Sequence, residues 1–209
     1  MKALDQTTRD NITPDRAIEM LKEGNQRFLQ RSQHDRDLNE QVSATKSGQY
    51  PFATILSCID SRVSSELIFD QGIGDIFSIR IAGNFINDDI LGSMEFACKV
   101  AGTKLILVLG HTSCGAIKGA CDNVKLGNLT TMLDKLQGAV AGVSEPQDQS
   151  QRNSSNTEFV NNVAVKNVEQ SIEAIYERSP ILKEMADNGE IKVVGGMYDI
   201  FNGQVEIFG

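Results

Sequence analysis

The chain has 209 residues, which at ~150 residues per domain lies between one and two domains, and its 40% hydrophobic and 23% charged fractions are those of a globular protein rather than a disordered one. Twenty Lys and Arg against 28 Asp and Glu give a net charge of −8, and with no local basic run this speaks against a nucleic-acid platform and against binding to an anionic membrane surface. The longest apolar runs, such as Leu105 to Leu109, fall far short of the ~20 residues a spanning helix needs.

Met1 to Gln6 turns polar at once, so no export signal is visible, and four cysteines (Cys58, Cys98, Cys114, Cys121) are too sparse for a disulfide framework. A soluble protein of the reducing cytoplasm is expected, with its cysteines on a metal or simply buried. Thr13-Pro14 reads as a helix N-cap with proline at the first helical position. Ala17, Ile18, Leu21, Phe28 and Leu29 then share one face of a helix ending near Arg31. Ser32 to Gly48 is polar, with Leu38 and Val42 one turn apart, which predicts a short second helix lying over a surface. Residues 1–48 thus read as an N-terminal helical arm on an α/β core spanning 49–209, the whole chain 1–209 forming one domain. So long a helix, poorly supplied with partners in one small domain, suggests packing on a second subunit.

Phe52 to Ser57, Ile76 to Ile81 and Lys104 to Leu109 have the length and apolar character of buried parallel strands. Between the second and third, Ile90, Leu91, Met94, Ala97, Cys98 and Ala101 form a helical stripe, which makes a βαβ unit and a parallel sheet. Helices are expected from about Cys114 and from Leu129, the latter facing Met132, Leu133, Leu136 and Val140 inward. Ser144 to Asn156 reads as a solvated loop, followed by a helix with Val160, Ala164, Val168, Ile172 and Ile175 on one stripe. Ile191 to Val194 and Gln204 to Phe208 are strands joined through Asn202-Gly203, a hairpin signal that makes the last one an antiparallel edge. The fold class is therefore α/β: a mostly parallel central sheet of four strands plus that C-terminal edge strand, flanked by helices.

Two clusters fall at the carboxyl ends of predicted strands, where open α/β sheets place their sites: Cys58-Ile59-Asp60-Ser61-Arg62 and His111-Thr112-Ser113-Cys114. Cys58, His111 and Cys114 offer two thiolates and an imidazole, a soft set suited to tetrahedral zinc, and three protein ligands with one open position is the catalytic pattern. Arg62 matches Asp60 as a bidentate fork, so Asp60 either orients what occupies the open position or swings onto the metal as a fourth ligand in a closed state. His34 reads as solvated, and Cys98 and Cys121 as packing residues. Gly72-Ile73-Gly74 precedes a strand, the wrong order for a dinucleotide loop.

Cys-x-Asp-x-Arg at one strand end and His-x-x-Cys at a later one resemble the signature of the β-class carbonic anhydrases, over most of the chain. Ile55 stands where a bicarbonate-regulated bacterial subgroup carries tryptophan, so the plant-like subgroup is the nearer resemblance. The resemblance implies reversible hydration of carbon dioxide to bicarbonate through a zinc-bound hydroxide, zinc on Cys58, His111 and Cys114, and Asp60 and Arg62 as the catalytic dyad. It also implies that Gln49 and Phe77 bind substrate across a dimer interface, with Ala82 lining a dry pocket and the backbone near Gly83 orienting substrate oxygens. A homodimer or homotetramer follows. The residues alone leave two alternatives: a related zinc hydrolase acting on carbonyl sulfide or carbon disulfide, and a non-catalytic zinc or redox-sensing protein.

Overall fold

The computed structural model describes residues 3–209. Its strands are β1 (Ala53–Ser57), β2 (Ile76–Arg80), β3 (Leu105–His111), β4 (Lys192–Tyr198) and β5 (Val205–Phe208), arranged across one sheet in the order β2-β1-β3-β4-β5. The first four run parallel, and β5 returns antiparallel on β4 as Asn202-Gly203 announces, with Gly203 at φ 83°. Around the sheet lie α1 (Gln6–Asp10), α2 (Pro14–Gln30), α3 (Leu38–Thr45), α4 (Ser65–Ile68), α5 (Asp88–Glu95) with a π turn at Phe96–Val100, α6 (Gly115–Cys121), α7 (Gly127–Asp134), α8 (Gln137–Gly142), α9 (Thr157–Arg178) and α10 (Pro180–Asp187). Among the described residues no helix is long and apolar enough to cross a membrane.

The period of two along a strand builds the core on both faces of the sheet. On β3, Leu105, Leu107 and Leu109 join Leu21, Phe52, Ile55 and Phe69 on one face. Ile106 and Val108 meet Met94, Val168 and Ile175 on the other. Both faces are covered, which is why the strand reads as continuously apolar.

The N-terminal helix does not lack partners. Thr13 caps α2 by accepting from the Arg16 N–H, and Ala17 and Leu21 are fully buried in the same cluster as the sheet residues. Asn25, 2% exposed, donates to the carbonyls of Ile68 and Gly203 and accepts from the Val205 N–H. The carboxylate of Asp70 gathers Arg27 from α2 and Arg36 from the following segment, tying both to the core. Ala17, Leu21 and Asn25 of α2 are thus packed on the protein's own core.

Three other elements differ in detail from the sequence reading. The Ile76–Ile81 run is not a buried strand but the open edge of the sheet, with Ser78 and Arg80 exposed and Ile76, Phe77 and Ile79 half-buried. On α3 the buried residue is Gln41, and Leu38 and Val42 each remain 55% exposed, because Gln41 accepts from the Ile73 N–H and holds the helix polar side down. The helix expected from Leu129 is broken at Lys135 and Leu136, whose N–H groups bond three residues back, to Met132 and Leu133; Leu133 and Leu136 are buried nonetheless. The Ser144–Asn156 loop is fastened by Arg152, which donates to the carbonyls of Val140, Val143 and Pro146 and lies 4.7 Å from the centre of the Phe159 ring.

Alanine is the better helix former by ~1 kcal/mol. Yet a Cβ on Gly24 would stand 1.9 Å from the Phe69 carbonyl oxygen. Gly24→Ala is expected to destabilise the protein by about 1–3 kcal/mol in urea denaturation; a gain in stability would contradict this packing of α2 on α4. Burial raises the pKa of Asp70, but the two arginines outweigh it and leave the carboxyl below its ordinary value. A group depressed in the folded state contributes stability above its unfolded pKa and loses it as pH falls through the folded one. Asp70→Asn should therefore cost about 3 kcal/mol at neutral pH, as for breaking a buried pair, with the penalty fading in strongly acidic urea titrations. A penalty independent of pH would contradict the ion-pair account.

Candidate metal centre

Parallel register sets Ser57 of β1 beside Leu109 of β3, so the chain leaves both strands at the same edge of the sheet. Cys58 follows the first strand and His111 ends the second. Ser113, at φ 54°, turns the backbone so that Cys114 becomes the N-cap of α6. The ligand atoms of Cys58, His111 and Cys114 all lie within 4.8 Å of one another, and all three residues are buried.

The two sulfurs are 3.9 Å apart. Two zinc–sulfur bonds of ~2.3 Å meeting at a tetrahedral angle span about 3.8 Å, so the pair is set for one ion. His111 is fully buried, and its Nδ1 lies 3.0 Å from the Thr112 carbonyl, which can only accept. Nδ1 is thereby engaged as a donor, and Nε2 has no hydrogen-bond partner. A buried polar atom left so costs about 1–3 kcal/mol. Donor type, sulfur spacing and the orphaned nitrogen all fit a metal ion.

The electrostatics point the same way. The hydrogen bond from Cys114 draws the Cys58 thiol well below its ordinary pKa, and the Gly83 N–H adds to this against burial. Cys114 moves up, through that same bond and through burial.

Asp60 and Arg62 form the fork expected of them. Arg62 donates Nε to Oδ1 at 2.9 Å, Nη2 to Oδ2 at 2.7 Å and its backbone N–H to Oδ1 at 3.0 Å. These bonds hold Asp60 well below the usual carboxylate range. Its Oδ2 stands 4.0 Å from Nε2 of His111, so an ionised carboxylate borders the donor set while engaged by Arg62.

A cavity of about 230 Å³ opens beside the donors, lined among others by Cys58, Asp60, Ala82, Leu129 and Met132. The Gly83 N–H points to Cys58 Sγ at 3.5 Å and its carbonyl accepts from Asn167. Phe77 lies on β2 opposite Thr54, near the strand's start, in a separate depression of about 610 Å³ with Asp88, Asp89 and Phe96. Gln49 is exposed ahead of β1, at the opposite end of the strand from Cys58. Within one chain neither reaches the donors. Sequence reasoning missed Arg80, which donates to the carbonyls of Cys58 and Asp60 and pins the loop carrying the dyad. Its signal was a charge closing an otherwise apolar run.

The family model described as carbonic anhydrase matches residues 53–205. Carbonic anhydrase 2 of Mycobacterium tuberculosis is 35% identical over 205 residues, covering 93% of this chain and 92% of that one. The β-carbonic anhydrase CafA of Aspergillus fumigatus superposes with a TM-score of 0.69 at 26% identity, over 93% of this chain and 89% of its own. A structure from a study of two tetrameric β-carbonic anhydrases of Sordaria macrospora gives 0.68 at 24% identity, over 80% and 85%. With its cysteine-histidine-cysteine donors at two neighbouring strand ends and these likenesses along most of its length, this chain belongs to the β-class carbonic anhydrases.

Proposed function

We propose that this protein binds zinc on Cys58, His111 and Cys114 and catalyses the reversible hydration of carbon dioxide to bicarbonate. The observation that carries the reading is the unpartnered Nε2 of His111 beside two sulfurs 3.9 Å apart, bordered by a carboxylate that Arg62 already holds. Zinc supplies a Lewis acid that lowers the pKa of a coordinated water from 15.7 to about 7. The rest is done by the chain. Asp60, kept ionised by Arg62, accepts a hydrogen bond from the attacking water and leaves a lone pair free for the carbon of carbon dioxide. A carbon–oxygen bond forms, one proton passes to solvent, and bicarbonate departs. Ala82, Leu129 and Met132 give the cavity an apolar wall that suits a small uncharged substrate. Free thiols as ligands require a reducing compartment, which supports a cytoplasmic location.

Gln49 and Phe77 are assigned to substrate binding in the site of a second copy, in a dimer or a tetramer of dimers. Support comes from β2, an open sheet edge with Phe77 half-buried and packed edge-on against Phe96, and with Phe96 53% and Val100 72% exposed beside it. Sedimentation at micromolar concentration is expected to give at least the dimer mass; a monomer would remove Gln49 and Phe77 from the chemistry.

Stopped-flow hydration of carbon dioxide, with parallel assays of carbonyl sulfide and carbon disulfide, tests the activity. The zinc-loaded protein should turn over carbon dioxide and lose that activity to a chelator, whereas turnover of the sulfur compounds alone would overturn the substrate assignment. Cys114→Ala should fail to retain stoichiometric zinc. Asp60→Asn should retain it and lose about 10²-fold or more in kcat, since the amide no longer offers an ionised oxygen to orient the attacking water; full activity in that variant would remove the dyad from the mechanism.

A further inference from the structure

The donor set and its surroundings are assembled from three loops far apart in sequence, the ligands at Cys58 and at His111 to Cys114 and a supporting loop at Gly83, and one helix touches two of them. On α9, Asn167 is 4% exposed and its Nδ2 donates to the Gly83 carbonyl at 2.8 Å. Four residues on, Ser171 Oγ meets the Asn84 carbonyl at 3.3 Å. Nearer the start of α9, Asn161 Oδ1 accepts from the Ser113 N–H at 2.9 Å.

Each of these bonds holds a backbone that would relax without it. Gly83 is at φ 80° and Asn84 at φ 38°, and the first of these brings the Gly83 N–H onto Cys58 Sγ at 3.5 Å. Ser113, at φ 54°, is a non-glycine residue in the left-handed region, between the two ligands His111 and Cys114. Such a residue costs of order 1–3 kcal/mol and persists only where its surroundings fix it. Partners of this kind, one bond removed from a metal's ligands, typically carry 10–100-fold in metal affinity.

We propose that Asn167 and Asn161 are positioning residues for the metal: Asn167 keeps the Gly83 N–H on the Cys58 sulfur, and Asn161 keeps His111 and Cys114 at ligand spacing across the Ser113 turn. This rests on the metal reading above and deepens it. An N–H group on a thiolate sulfur withdraws charge from it and so tunes what the metal feels. The amides act through backbone groups and touch neither metal nor substrate.

The test uses the full chain loaded with cobalt(II) in place of zinc, reading the thiolate-to-cobalt charge-transfer band, together with zinc affinity by competition against a chromophoric chelator. Asn167→Ala is expected to shift the band to longer wavelength and to weaken zinc binding 10–100-fold. Asn161→Ala should weaken zinc binding by a similar factor. If Asn167→Ala does not fold, Asn167→Leu keeps the volume without the donor and should shift the band the same way. Asn25→Ala, which removes an equally buried amide with three backbone partners between α2, α4 and β5, should lower Tm while leaving band and affinity in place. If the Asn167 and Asn161 variants behave as Asn25→Ala does, the amides only hold the fold and the inference is overturned. If the wild-type chain shows no thiolate band, the metal reading itself fails and takes the inference with it.

Discussion

A buried imidazole nitrogen with nothing to bond is costly, and the arrangement of His111 Nε2 beside two sulfurs is one that a metal ion would satisfy. His111 is fully buried at the end of β3, its other nitrogen committed to the Thr112 carbonyl. Its neighbours are two cysteine sulfurs 3.9 Å apart. A dication would satisfy the nitrogen and both sulfurs together.

The sheet explains how such a set arises from short, separated motifs. Adjacent parallel strands deliver their carboxyl ends to one edge, so Cys58 and His111 meet although they are far apart in the chain. The topology brings the loops together, and polar side chains then fix their fine geometry. Arg80 fastens Cys58 and Asp60 by their carbonyls, and the α9 amides fasten the other two loops. Arg62 holds its partner carboxylate at the mouth of the cavity, where 53% of its side chain is open to solvent.

Much of this was legible in the sequence because the chemistry is local. Cys58, Asp60 and Arg62 lie within five residues, and His111 and Cys114 within four, so spacing alone exposes them. The continuous apolar run of β3 and the Asn202-Gly203 turn likewise declare themselves through neighbours in the chain. What stayed hidden depends on distant packing. The approach of Gly24 to the Phe69 carbonyl leaves no trace in helix periodicity, so α2 read as an arm without partners. The Ile76–Ile81 run is apolar enough to be central, and only Ser78 and Arg80 mark it as an edge. Asn167 sits among the apolar residues of α9, where its polarity had no visible purpose until Gly83 appeared opposite it. The contact of the Gly83 N–H with the Cys58 sulfur likewise joins residues 25 apart in the chain.

Zinc-edge X-ray absorption of the purified, loaded protein addresses the central claim most directly, since it counts the atoms around the ion. Two sulfurs, one imidazole and one further light atom are the neighbours this arrangement of Cys58, Cys114 and His111 demands. A shell without sulfur, a shell of four sulfurs, or a protein that holds no zinc would each contradict it.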